Sequence, residues 1–385
     1  MNKYNTKLGQ LLSLINRSQF YALVKSTQSD KYCKGFSTWQ QLVTMCYAQI
    51  ANHNGLRSLI KSLNTSGHCR YHLGIHKELA RSTLLYANNH RSPEIFEKLF
   101  YALRDTLDRG RGKKLRKNFY AIDATEISLH IRDFPWALFR STIGGIKMHT
   151  KYDINNSVPD YLFITNAKEH ENHTLSEMQL IEGDTAAFDK GYCNYKNFGV
   201  FCEKGIFFVT RLKENAQYAV VESRPTDSPL IPTDQTIVFT GKKTQKTCPH
   251  QLRKVVSIDE KTNKSITILT NIFDMNAADI AKLYRARWNI EIFFKTIKQN
   301  LRVKKFYGQS KNAVETQIWI ALIVYVLYLK LRQMSTYEGK NFTDFISELK
   351  VCLFERTDLF SWFVGLPPVI NKPPSSCSSQ QEFLL

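Results

Sequence analysis

Two short apolar runs that each close on an aspartate constrain this chain more than any other feature: Phe119-Tyr-Ala-Ile-Asp123 and Thr185-Ala-Ala-Phe-Asp189. Runs of this kind read as strands, so both carboxylates are expected at the ends of neighbouring strands in one sheet. Further strands are expected at Glu126–His130, Lys147–Ile154, Tyr161–Asn166 and Ile206–Thr210, with a hairpin turn at Asn155-Asn156. A β-rich block spans 215–272, in the runs Tyr218–Val221, Thr236–Thr240, Leu252–Ile258 and Ser265–Leu269. Helical periodicity then takes over from Ala277 to about Asn300 and from Asn312 to about Gln333. Mixed strands and helices in this order predict an α/β core.

The first third of the chain reads as helical. Leu8, Leu11, Leu12 and Ile15 follow i, i+3, i+4, i+7 spacing, and Ser37 or Thr38 is placed to cap the run Trp39–Ile50. Ser92-Pro93 reads as an N-cap and first helical position ahead of the stripe Ile95, Phe96, Leu99, Leu103. The run from Ala80 to Leu84 resembles the start of a short helix in a helix-turn-helix, capped by Ser82. Charge concentrates here. Residues 1–118 hold 20 Lys and Arg against 6 Asp and Glu, an excess of 14 out of the whole chain's +19. A balance of +19 favours a polyanionic partner and disfavours an ordinary small-molecule enzyme. The Gly-containing basic stretch 109–117 reads as a linker, and the Pro-, Ser- and Gln-rich tail from Pro367 as disordered.

Several classes fall away. With 43% apolar and 12% aromatic residues the chain is not mostly disordered. Its eight cysteines never form a Cys-x2-Cys pair, so zinc-finger and disulfide-scaffold readings lose support and a cytoplasmic location fits. No secretory signal is expected from the N-terminus. The most apolar stretch, Ile318–Leu329, is shorter than a membrane span and is expected to be a buried core helix, with no membrane partner.

Around Glu291 the residues fall into two stripes. At 100° per residue, Arg287, Lys298, Glu291 and Lys295 lie within about 80° of one another. Leu283, Ile290, Phe293, Phe294, Ile297 and Leu301 form the apolar stripe beside them. A carboxylate at the edge of a buried face points into a cleft, and flanking cations there suit phosphate, arginine in bidentate fashion. Three carboxylates converging from two strands and a helix suit hard divalent cations. A pair of such ions supports phosphoryl transfer, so a basic chain with this site is a nuclease or strand-transferase candidate.

The run Tyr284-x2-Arg287-x3-Glu291-x6-Lys298 resembles, spacing for spacing, the signature of the IS4-family DDE transposases. YAIDAT is similar to that family's first-aspartate strand, and AAFDKGY followed by FFVTRLKEN to its second-aspartate block. The likeness covers about 117–335, and FSTWQQLVTMCYAQIANHNGLRSL resembles the helical domain that precedes the core in one branch. It implies an RNase H-like catalytic core with a β-rich insertion, preceded by an all-α basic domain. It also implies that Asp123, Asp189 and Glu291 bind two Mg²⁺ or Mn²⁺, and that Tyr284, Arg287 and Lys298 contact phosphates and stabilise a flipped base. Lys295, Lys190 and Arg211 join the candidate DNA contacts.

The implied activity is cut-and-paste transposition of an insertion sequence. A strand is cut at the element's end, the freed 3′-OH closes a hairpin, and the reopened end joins target DNA. The partners are terminal inverted repeats and target DNA, in a complex expected to hold a homodimer. The organisation expected is a helical DNA-binding domain over 1–110 that folds apart from the core, a catalytic domain over 117–335, and a helical segment with its tail over 336–385. The alternatives are an RNase H-fold nuclease without strand joining and a catalytically silent DNA-binding protein. His149, His170 and His173 are expected to be structural or surface residues, and Trp288 to pack at the sheet.

Overall fold

The structure, a computed structural model, describes residues 5–53, 55–107, 118–137, 144–168, 174–226, 228–260, 262–335 and 339–366. The basic linker, the tail from Pro367, His170 and His173 lie outside the described residues.

The N-terminal region folds into helices α1 (Lys7–Leu12), α2 (Arg17–Thr27), α3 (Thr38–Ala51), α4 (Leu56–Thr65), α5 (Gly67–His72), α6 (Arg81–His90) and α7 (Glu94–Arg104). Side chains satisfy the orphan N–H groups at several starts. Thr6 and Asn16 cap α1 and α2, and Ser37 with Gln40 forms a reciprocal capping box on α3. Ser92 Oγ accepts the Glu94 N–H at 3.2 Å, so α7 begins one residue later than its Ser-Pro signal suggests. The expected Ser82 cap is not formed. α6 starts at Arg81, one residue ahead of Ser82, and no side chain caps it.

Among the described residues nine strands make one sheet in the order β3-β2-β1-β4-β5-β9-β8-β7-β6. The first five are β1 (Phe119–Leu129), β2 (Gly144–Asp153), β3 (Val158–Asn166), β4 (Thr185–Phe188) and β5 (Phe207–Arg211). β1 pairs antiparallel with β2 and parallel with β4, and β4 runs parallel with β5. The β-rich block supplies β6 (Tyr218–Ser223), β7 (Thr233–Phe239), β8 (Leu252–Ile258) and β9 (Ser265–Thr270). It extends the same sheet, because β9 pairs antiparallel with the open edge of β5. Inside the extension, Arg253 is bound by both oxygens of Asp234 at 2.8 and 2.6 Å, a buried pair that ties β8 to β7.

Helices α8 (Tyr195–Glu203) and α9 (Lys242–Thr247) accompany the sheet. Side chains alternate across a strand, so Ile122, Phe188 and Phe208 face α8, where Phe198 stacks on Phe208 at 4.5 Å. Phe119, Ala187 and Val209 face the other way, onto α10 (Ala277–Ala286). α11 (Trp288–Asn300) lies against β1 and is followed by α12 (Lys311–Gln333), α13 (Phe342–Cys352) and α14 (Leu359–Phe363).

α12 has 23 residues and is long and apolar enough to cross a membrane, unlike the shorter run expected from sequence. Yet 89% of its most apolar window is buried inside the protein, as a core helix should be. It is buried by α3, α6 and α7. One apolar cluster therefore runs from Leu8 through Leu42, Phe96 and Phe100 to Ile290, Phe293, Leu322 and Phe363. The N-terminal helices do not own a separate core. The C-terminal segment joins them too: Leu8 N–H bonds the Leu353 carbonyl at 3.0 Å, and Lys7 pairs with Glu355 at 2.6 Å.

Candidate active site

Asp123 and Asp189 are brought together by strand register. Ile122 pairs with Phe188 in the parallel ladder, so the next residue of each strand is an aspartate. Asp123 shares a face with Phe119 and Ala121, and Asp189 shares one with Ala187, so period-2 alternation turns both toward the helices α10 and α11. The two settings differ, however. Asp189 ends its strand and opens a short 3-10 turn, Lys190–Tyr192. Asp123 does not end a strand: β1 runs on to Leu129 because β2 continues to pair with it, down to Leu129↔Gly144. The expected break before Glu126 is absent. Beyond Ile122, then, β1 outruns β4 and leaves one of its edges open where the carboxylates stand.

The helix expected from Ala277 to about Asn300 is two helices, α10 and α11, that meet at Arg287. The chain tightens there: Arg287 N–H bonds the Tyr284 carbonyl at 3.2 Å, and Ile290 N–H bonds the Arg287 carbonyl at 3.1 Å. The junction directs Arg287 inward. Its Nη2 donates to Glu291 Oε1 at 2.7 Å, and its Nη1 lies 3.6 Å from Asp123 Oδ2. One guanidinium thus joins the first and third carboxylates. Tyr284, 4% exposed, donates its hydroxyl to Asp189 Oδ1 at 3.5 Å. The Arg287 and Arg211 guanidinium carbons lie 5.8 and 5.7 Å from the centre of the Tyr284 ring. Asp189, Tyr284, Arg287, Asp123 and Glu291 therefore form one continuous set.

Burial pushes the Tyr284 phenol up from its ordinary pKa, against the pull of Arg287 and Arg211, so it remains a proton donor to Asp189. Burial alone would lower the Arg287 pKa. Tyr284, Glu291 and Asp123 together outweigh it, so the guanidinium is held firmly charged. Its Nε and that of Arg211 are buried with no hydrogen-bond partner.

Among the described residues no group of three His, Cys, Asp or Glu side chains is gathered as a metal cage. The Arg287 guanidinium pairs with both Asp123 and Glu291. The donor set itself is all carboxylate oxygen, which fits hard divalent cations and excludes a thiolate or imidazole site.

The remaining expected residues divide. Lys298 Nζ donates to the Glu126 carbonyl at 2.7 Å, alongside β1 beyond Asp123, where burial and then Lys304 lower its pKa. Arg211 sits at the end of β5 against Tyr284. Lys190 and Lys295 are exposed and make no ion pair among the described residues. Trp288 departs from expectation. It is 58% exposed instead of packed at the sheet, with Ile292 exposed one turn on. Helical angles already set it about 40° from Tyr284, away from the apolar stripe, and the packing expectation runs against them. Sequence reasoning also missed Thr150, directly opposite Asp123 in the ladder, whose buried hydroxyl has no partner. No signal short of the strand register marks it. His149 is fully buried beside Phe163, as expected of a structural histidine.

Comparison with known proteins gives the same picture from outside. The family model "Transposase DDE domain" matches residues 114–327, and "Domain of unknown function (DUF4372)" matches 3–76. The chain is 34% identical over 292 residues to a putative transposase, y4zB, of Sinorhizobium fredii, covering 74% of this chain and 80% of that one. It is 28% identical over 264 residues to a probable transposase for insertion sequence element IS5377 of Geobacillus stearothermophilus, covering 66% and 68%. In fold it is similar to the piggyBac transposase of a synaptic complex with hairpin DNA. That likeness has a TM-score of 0.52 at 12% identity and covers 99% of this chain and 89% of the other.

Proposed function

The chain belongs to the transposase DDE-domain family, and from that premise we propose that Asp123, Asp189 and Glu291 are its catalytic carboxylates in an insertion-sequence transposition of the IS4 type. The protein is a DNA transposase with an RNase H-like core, an enzyme that cuts DNA and transfers strands; a nuclease without strand joining and a silent DNA-binding protein are not favoured. The observation that carries the assignment is the contact of one guanidinium with both Asp123 and Glu291, while Tyr284 holds Asp189 to the same face.

The three carboxylates would hold divalent cations, two Mg²⁺ or Mn²⁺ in this reading. When bound, these ions neutralise charge on the phosphoryl group and activate the attacking oxygen. The chain's own residues do the positioning. Tyr284 aims Asp189 by donating its hydroxyl to it. Arg287, a permanently charged fork beside Asp123 and Glu291, would offer its N–H groups to a DNA phosphate. Arg211 and Lys298 flank the site on either side, and Lys190 and Lys295 offer exposed charge for the backbone on approach. The element's terminal inverted repeats and target DNA are the substrates, handled in the cytoplasm by a homodimer that cuts, closes and reopens a hairpin, and joins.

The test is single-turnover cleavage of a labelled element end with Mg²⁺, beside a gel shift on the same preparations. Asp123→Ala, Asp189→Ala and Glu291→Ala are each expected to abolish cleavage and to keep DNA binding. Cleavage surviving any one of them removes that residue from the site.

A further inference from the structure

The N-terminal helices enclose a cleft of about 1010 Å³ between the loop that follows α2 and one face of α6. α6 lines it with Ser82, Tyr86 and His90, spaced one turn apart. The Tyr86 and His90 rings stack at 4.0 Å between centroids with planes 20° apart, yet Tyr86 is 66% exposed. From the loop, Tyr32 is 88% exposed, and its backbone is held at φ 60°, in the left-handed region that favours glycine. Such conformations persist where the surrounding structure imposes them, often at binding sites. A turn holds Tyr32 there, closed by the Cys33 N–H on the Asp30 carbonyl at 3.0 Å, and Arg91 braces the residues that follow by donating to Gln41 Oε1 at 3.0 Å, to Cys33 Sγ at 3.3 Å and to the Phe36 carbonyl. Arg91 builds the wall and is committed to it.

The free charge lies elsewhere. Lys31, Lys34 and Lys77 line the cleft exposed, and none makes an ion pair among the described residues, though the Lys31 ammonium lies 5.3 Å from the centre of the Tyr32 ring and covers part of one face. Glu78 is the lone carboxylate among the lining residues. Large rings in water beside unpaired lysines are a poor surface for an acidic protein, whose carboxylates would use the lysines and leave the rings bare. They also suit a duplex badly, since its bases are already stacked inside. An unpaired strand uses both features: each base presents a π-face to an aromatic platform, and the backbone follows positive charge. We propose that this cleft binds a short unpaired segment of DNA, with bases stacked on Tyr86–His90 and Tyr32 and phosphates on Lys31, Lys34 and Lys77. Only the choice of DNA over RNA rests on the transposase reading; the cleft is independent of the three carboxylates.

The experiment uses the full chain in chelator, so that no strand is cut. Fluorescence anisotropy follows a labelled oligothymidine of about 15 nucleotides, a length in the range of single-strand sites, beside a labelled duplex. Tyr86→Ala and Tyr32→Ala are each expected to weaken single-strand binding about tenfold and duplex binding less than about twofold. Tyr86→Phe keeps the ring and is expected to bind as the wild type does. Replacing all three lysines by alanine should flatten the log–log salt dependence by about two, near 0.7 for each phosphate released. Matched thermal melts establish that every variant is folded. Alanine variants that bind the single strand like wild type overturn the proposal, as does an equal loss on duplex. Tighter binding of an oligouridine overturns the assignment to DNA. The cleft shares no residue with the three carboxylates, so failure there leaves the catalytic reading standing.

Discussion

Gln49 accepts the backbone N–H of Arg302 at 2.7 Å across a separation of 253 positions in sequence. Its amide also donates to the Gln317 carbonyl at 3.0 Å. Gln317 in turn accepts the Tyr307 N–H at 3.0 Å and donates to the Arg302 and Lys305 carbonyls at 2.5 and 2.8 Å. Two buried glutamines, one from α3 and one from α12, therefore fix the segment that follows the helix of Glu291 and Lys298. The N-terminal helices hold the helix of Glu291 in place through buried hydrogen bonds.

Gln49→Ala strips that segment of a buried acceptor and a buried donor at once. Leaving the Arg302 N–H unsatisfied costs about 1–3 kcal/mol. The melting temperature is expected to fall by several degrees, with DNA affinity preserved and cleavage reduced. A melt that matches wild type would show that the amide network contributes nothing.

Removing residues 1–107 should not yield a folded catalytic core. α12 would lose the covering of α3, α6 and α7, and buried side chains such as Ile320, Ile323 and Val324 would lose theirs. The fragment is expected to aggregate or to keep helical circular dichroism without a cooperative melt. A soluble fragment with a sharp melt would restore the picture of an independent N-terminal domain.

Arg287→Ala separates two roles. Without the guanidinium, Asp123 and Glu291 lose the cation they share, so the variant should be less stable than wild type in chelator and recover on adding Mg²⁺. Cleavage with Mg²⁺ should remain down by about 100-fold, the cost of a misplaced phosphate, while overall affinity changes little. If Mg²⁺ fails to raise the variant's melting temperature, the guanidinium does not occupy a cation position.

His149 predicts a pH effect. Burial first, and Lys147 second, push its pKa down to about 4, against about 6.5 in an unfolded chain. The unfolded state takes up the proton first, so stability is full above pH 6.5 and declines as pH falls toward 4. The loss reaches about 3 kcal/mol for a shift of this size. His149→Phe should flatten that limb in denaturant melts at pH 7 and pH 4.5. An equally steep decline in the variant assigns the effect to other groups.

Much of this site was legible in the chain because strands report themselves locally. The runs closing on Asp123 and Asp189 needed only apolar pattern and parallel register to become neighbours. The four strands of the insertion were equally plain. What stayed hidden depends on partners distant in sequence. β1 continues past Asp123 because β2 pairs with it. α10 and α11 part at Arg287 with no proline or glycine to announce it. Helical spacing brought Arg287 to Glu291 correctly, since an i, i+4 step survives the junction, and it set Trp288 away from the apolar stripe; the expectation that the ring packs at the sheet went against that spacing. The charge excess and the basic linker suggested a detached N-terminal unit, whereas burial of α12 requires those helices as its cover.

The shared core also imposes a schedule. Residues up to Arg104 leave the ribosome with apolar faces of α3, α6 and α7 that α12 later covers, and α12 is finished at Gln333, about 230 residues on. At roughly 5–20 residues per second that interval lasts on the order of 10–50 s. For that long the most basic part of the chain exists as nascent helices without their lid, while the sheet is still being made. The last long helix to emerge is thus the one that closes the first.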